Sequence, residues 1–158
     1  MKIFIEATLI GKFILLSFFG IYLIISFWLF YPYEPITIKE PMKIMNKDKI
    51  VNSGETLLYE MDFVKHMQRP GFITKQLIDG VIITSSPIIG NIKTGHTIKN
   101  FPMKIPEFLG SGENVMKWSG TYKVNPIRYI TVVAYTEPFY VVSDKDNEAF
   151  NLGDNYGN

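Results

Sequence analysis

No cysteine occurs among the 158 residues of this chain. Disulfides, thiolate metal sites and thiol nucleophiles are therefore excluded, and the fold must rest on its apolar core. Arginine is nearly as scarce: Arg69 and Arg128 are its two examples, too few for a surface that clamps phosphates. A surplus of one charge is missing as well. Of 16 Lys or Arg and 15 Asp or Glu, only Lys2, Lys12 and Glu6 precede residue 32, which leaves 14 of each sign in the remainder. Such a balance exerts no electrostatic pull toward nucleic acid, so no nucleic-acid partner is expected. Neither an internal repeat nor a long low-complexity segment interrupts the chain.

What the chain does have is one long apolar run. Residues 13–31 are uncharged and almost wholly apolar. As a helix rising about 1.5 Å per residue they reach about 28 Å, close to the ~30 Å hydrocarbon thickness of a bilayer. A single transmembrane helix is the expectation. Pro32 and Pro35 stop it. Trp28, Tyr31 and Tyr33 crowd its exit, where amphipathic rings favour the bilayer interface, and with Lys12 at its start they are the expected membrane-interface anchors. A secretory signal shares the basic start and apolar core, but its core runs about 7–15 residues and ends at a small-x-small site. Here the run is longer and leads into Phe27-Trp28-Leu29-Phe30-Tyr31-Pro32, so an uncleaved signal-anchor is the better match. A buried soluble helix would show a polar face, for which Ser17 and Ser26 do not suffice.

Lys2 and Lys12 before the span are matched by Lys39 and Lys43 after it, so counting basic flanks does not orient the helix. Lys12 abuts the apolar run, whereas the exit meets Glu34 before any lysine. That favours an inside N-terminus and an extracytoplasmic C-terminal domain. The expected organisation is a short N-terminal tail (1–12), the span (13–31), one domain (32–142) and a flexible acidic tail (143–158). The 127 residues after Tyr31 suffice for one ordinary domain.

Beyond Tyr33 the hydrophobic period changes to alternation, the pattern of half-buried antiparallel strands. In 115–124 the even positions Met116, Trp118, Gly120, Tyr122 and Val124 form a mostly apolar face, while Lys117, Ser119, Thr121 and Lys123 form the polar one. Leu57, Tyr59, Met61 and Phe63 alternate likewise with Glu60 and Asp62 after an Asn52-Ser53-Gly54 turn. Asp79-Gly80 between 72–78 and 81–84 predicts a tight type I′ hairpin. Asn125-Pro126 predicts another, between 115–124 and 128–135. Weaker strands are expected at 36–38, 42–45, 97–104 and 139–142. About eight short strands with no convincing helical window make the fold class mainly β: an immunoglobulin-like antiparallel β-sandwich behind one helix, with a barrel as the alternative.

The 57–65 strand, the Gln76-Leu77-Ile78-Asp79-Gly80-Val81 hairpin and the Thr121-Tyr122-Lys123-Val124-Asn125-Pro126-Ile127-Arg128 hairpin, set behind one N-terminal span, carry a family likeness. The chain resembles uncharacterised single-span membrane proteins of tailed bacteriophages and related environmental viruses. The resemblance covers most of the part beyond the span, and its motifs are structural turns. It implies an immunoglobulin-like exterior domain and a viral or prophage origin, and it brings no catalytic residue across. One departure is that Gly112-Glu113-Asn114 puts asparagine where such sandwiches often carry Gly-x-Tyr.

Chemistry-bearing patterns are few. His66 and His96 fall in expected loops, and a metal site would need carboxylates brought alongside; solvated loop histidines are the simpler reading. Asp144, Asp146 and Glu148 resemble the start of a calcium loop, but Ala149 and Asn155 stand where Gly and Glu are required. Gly110-Ser111-Gly112 lacks the spacing of a nucleophile elbow. Trp118 and Tyr122 flank Gly120 on an inward face, where core packing outweighs stacking of a sugar or base, and Gly120 either relieves crowding between them or marks a bulge. The loop Lys65-His66-Met67-Gln68-Arg69-Pro70-Gly71 is the most distinctive polar surface, with Lys65, His66 and Arg69 as the expected partner contacts. The function expected is a membrane-anchored, non-catalytic binding or structural module with no cofactor, its partners the lipid bilayer and envelope or virion proteins. The alternative is an envelope-acting lysis accessory or hydrolase, whose site would be assembled from Glu55, Glu60, Asp62 and Asp79 with His66 or His96.

Overall fold

The computed structural model describes residues 2–79 and 81–143; Ser143, expected as the first residue of the acidic tail, is buried, and the rest of that tail, with the partial calcium-loop pattern, lies outside the described residues. Helix α1 runs Lys2–Phe30, so residues expected as an N-terminal tail are its first turns. Nothing in its interior breaks it, and Pro32, which has no N–H to donate, follows its end. Ser17 turns its hydroxyl back to the Phe13 carbonyl (2.9 Å), which removes a polar group from an apolar surface. Ile10–Phe30 is long and apolar enough to cross a membrane, and its most apolar window is not buried within the protein.

The chain forms two compact units. One consists of α1 with its exit through Tyr33, together with Lys123–Tyr129. The strands are β1 (Ile36–Ile38), β2 (Lys43–Ile44), β3 (Ile50–Asn52), β4 (Thr56–Lys65), β5 (Gly71–Asp79), β6 (Val81–Thr84), β7 (Ile88–Gly90), β8 (Gly95–Lys104), β9 (Gly112–Asn125), β10 (Arg128–Tyr135) and β11 (Phe139–Val142), and all but the end of β9 and the start of β10 belong to the other unit.

In the first sheet β4 is central. It pairs with β8 from Thr56↔Lys104 to Lys65↔Gly95, and β1 and β2 share its other edge. In the second sheet β5 and β9 are central, paired from Gly71↔Tyr122 to Ile78↔Val115. β6 and β7 continue along the free edge of β5, while β10 and β11 pair with β9. Outermost lies β3, which runs parallel to β11 through Ile50↔Tyr140 and Val51↔Val141. This parallel pair, like the isolated parallel bridge between Met42 and Thr136, departs from the all-antiparallel expectation. β3 is set in place by a turn with positive φ at Asp48 and Lys49, and its partner lies far along the chain, where local alternation carries no information about it. The Asp79-Gly80 turn lies partly outside the described residues, but the strands it joins do pair.

Alternation sets the core. Leu57, Tyr59, Met61 and Phe63 of β4 are buried, as are Met116, Trp118, Tyr122 and Val124 of β9. Burying each such side chain is worth about 1.5–3 kcal/mol, more than the ~1 kcal/mol range of intrinsic strand preferences, so packing dictates which face turns inward. Where β10 gives way to β11, Thr136 keeps the ladder satisfied: its hydroxyl accepts from the Met116 N–H (3.0 Å) and its own N–H donates to the Met116 carbonyl (2.9 Å).

Candidate functional site

The exit of α1 is built by residues about a hundred positions apart. The last carbonyls of a helix have no partner within it, and α1 carries no basic residue in its last turn. The β9–β10 turn supplies what is missing. Asn125 Nδ2 donates to the Trp28 carbonyl (2.6 Å), and Arg128 Nη1 donates to those of Leu29 (2.8 Å) and Tyr31 (2.7 Å). Asn125 is held for this task because its Oδ1 accepts from the Ile127 N–H (3.1 Å), a local turn typical of asparagine. The guanidinium also places positive charge at the negative end of the helix dipole. The sequence places Asn125 in a turn and Arg128 at the start of a strand, without this task; the bare last turn of α1 is the one signal that a cation could come from elsewhere.

The expected interface anchors gather at this exit. Phe27 and Tyr31 rings lie 4.9 Å apart, and Tyr31 and Tyr33 rings 4.8 Å apart. Trp28 is half-buried, Tyr31 exposed, and Lys12 exposed toward the other end of α1.

The expected contact loop is changed by the structure. His66 and Arg69 are exposed, but Lys65 is 3% exposed and does not join them at the surface. The physical reason is parity: two residues beyond Phe63 on β4, Lys65 must point the same way as Phe63. Its ammonium donates to the Ile92 carbonyl (2.7 Å) and lies 6.0 Å from the Tyr122 ring centroid. His66 Nε2 instead hydrogen-bonds with the Thr37 hydroxyl (2.8 Å).

Between the two sheets lies a cavity of about 120 Å³. Tyr59, Phe63, Phe101, Trp118 and Tyr122 give it aromatic walls, and isoleucines with Met61 complete the apolar lining. Lys65 and Lys75 border it, and the latter's ammonium donates to the Pro102 carbonyl (2.7 Å) over the Tyr59 ring. Burial lowers the pKa of both lysines and raises that of the Tyr59 phenol. The Tyr59 hydroxyl is buried with no hydrogen-bond partner among the described residues. Trp118 and Tyr122 are core residues, as expected. Gly120 accommodates them: a Cβ there would collide with the Trp118 ring and lie 3.0 Å from Tyr122.

The carboxylates considered for hydrolysis are engaged at the surface, and Glu60 and Asp62 line one cleft with Glu40 and Glu137. Glu60 meets Lys43 (3.7 Å), Asp62 meets Lys39 (3.8 Å) and His96 (2.7 Å), and Glu55 accepts from the Asn52 N–H (3.2 Å). The Asp79 side chain lies outside the described residues. Among the described residues no group of three or more His, Cys, Asp or Glu is placed to hold a metal ion. Ser111 Oγ accepts from the Ser143 N–H (2.9 Å), a contact that closes a loop.

The fold and site define a class: a β-rich protein with two multi-strand sheets behind one N-terminal apolar helix. No family model and no curated protein matches this chain.

Proposed function

We propose that this protein is a single-pass, membrane-anchored, non-catalytic module that presents an immunoglobulin-like β-sandwich outside the cytoplasm to envelope or virion proteins. The observation that carries the reading is the Ile10–Phe30 segment, long and apolar enough to span a bilayer, with its most apolar window unburied; so large an exposed apolar surface is the mark of a membrane or partner contact, and its length matches a bilayer. Support for the immunoglobulin-like form comes from strand order. β4 and β8 share one sheet while β5, β9 and β10 share the other, the division of B and E from C, F and G strands in that fold. Against hydrolysis stands the engagement of Glu60 by Lys43 and of Asp62 by Lys39 and His96.

Because the chain has no cysteine, single-cysteine variants report topology directly. With cysteine at Lys47 or at Lys2, a membrane-impermeant maleimide applied to spheroplasts is expected to label the first and spare the second, and carbonate washing is expected to leave the protein in the membrane. Release by carbonate would overturn the anchor, and the reverse labelling would overturn the orientation. Lysis on induction that disappears when His66 and His96 are both replaced by alanine would favour the hydrolase instead.

A further inference from the structure

We propose that the cavity bordered by Tyr59, Lys65, Lys75 and Trp118 binds a small amphiphilic monoanion, a carboxylate carried on an apolar body about the size of a benzene ring. Three independent features point to this chemistry. Every polar side chain in the lining is a lysine, a tyrosine or Trp118, with no Asp, Glu, Asn, Gln or His among them, so the site offers ammonium, phenol and indole donors without a side-chain carboxylate, amide or imidazole acceptor. Lys65 is buried, yet among the described residues its ammonium meets a neutral carbonyl and a ring face and no carboxylate; a buried charge without a counter-charge is costly. The Tyr59 hydroxyl is buried and unpartnered among the described residues, an exception in native interiors that calls for an occupant.

An anionic oxygen in the cavity answers all of these at once. It would neutralise Lys65, give the Tyr59 O–H an acceptor, and draw on Lys75. The apolar part of the ligand follows from the walls and the size: about 120 Å³ between aromatic rings compares with the about 150 Å³ cavity that takes benzene. A phosphate dianion fits poorly, because desolvating its second charge in an apolar pocket is prohibitive without further cations. At the rim lie Ile88, Gly90 and Ile92, and Gly90 lets β7 approach Ile73, whose side chain a Cβ at that position would strike.

The proposal is independent of the membrane reading, since its assay reads occupancy of the cavity whether or not α1 spans a bilayer. The full chain in detergent micelles is titrated with 4-fluorobenzoate and with neutral 4-fluorobenzamide, followed by fluorine NMR of the ligand. Saturable binding is expected, with the carboxylate favoured by about tenfold, the worth of a charge-assisted hydrogen bond. Lys65→Met should abolish that preference and leave the amide unchanged. Tyr59→Phe, which keeps the ring and removes only the hydroxyl, should weaken the carboxylate several-fold and covers the case in which Lys65→Met does not fold. Palmitate in the same micelles separates sources: competition with 4-fluorobenzoate would assign the site to lipid-derived acids, and its absence to free short carboxylates. Equal affinity for acid and amide, or full carboxylate preference in both variants, would overturn the proposal.

Discussion

Arg128 Nη1 lies 2.8 Å from the backbone oxygen of Leu29, although 99 positions separate the two residues. The same nitrogen reaches the Tyr31 oxygen at 2.7 Å. One guanidinium thus closes the end of an apolar helix whose own sequence offers no cation there.

Removing that contact should loosen the helix exit. Arg128→Ala leaves the Leu29 carbonyl to water or lipid headgroups and the Tyr31 carbonyl to the Tyr33 N–H alone, and is expected to cost about 1 kcal/mol, the scale of a part-exposed helix-end cation. Hydrogen exchange of the full chain in micelles should speed up over residues 27–33, while β4 keeps its protection. Unchanged exchange at the exit would show the contact to be dispensable.

Gly120→Ala tests the fit of the aromatic layer. The added methyl has no room beside Trp118 and Tyr122, so overpacking is expected to cost about 1–3 kcal/mol. A thermal melt monitored by circular dichroism should move down by several degrees. A melt at the parent temperature would mean that the Trp118 ring yields at no cost.

Glu137 supplies an acid-sensitive clasp. Hydrogen bonds from the Lys49 ammonium (2.7 Å) and then the Ile44 N–H (2.8 Å) lower its pKa. A carboxylate whose folded pKa is depressed contributes stability that is present above the unfolded pKa and lost as pH falls through the folded one. Denaturant midpoints should therefore fall below the ordinary glutamate range, and Glu137→Gln should flatten that part of the curve. Identical acid limbs for both proteins would refute the assignment.

Lys65→Met separates stability from binding. Replacing an ammonium paired with a neutral carbonyl by an apolar side chain of similar length is often neutral or stabilising. In the absence of ligand the variant is expected to melt at the parent temperature or above it, even as it loses carboxylate preference. A melt lower by many degrees would make Lys65 a structural residue first.

Most strands were legible because alternation is a local property. β6, β10 and β11 match the expected spans 81–84, 128–135 and 139–142, and β4, β5, β8 and β9 run one to three residues longer at one or both ends. β3 and β7 were not expected, and each forms against an edge that exists only once the larger strands are in place. Lys65 is the instructive case. Its residue type suggested a surface, while its position two residues after Phe63 demanded the interior, and the position prevailed because β4 and β8 pair without a bulge through Lys65↔Gly95.

The sequence by itself determined the two-part character of this protein: an uncharged apolar run of bilayer length, then alternating strands with no cysteine and balanced charge. Those are properties of neighbouring residues, and burial of apolar groups needs no further information to act on them. Only the tertiary structure decided that Asn125 and Arg128 close the helix exit, that β3 lies parallel to β11, and that Tyr59, Lys65 and Lys75 meet at one cavity. Each of these depends on which distant segments become neighbours, and that is set by the packing of whole sheets.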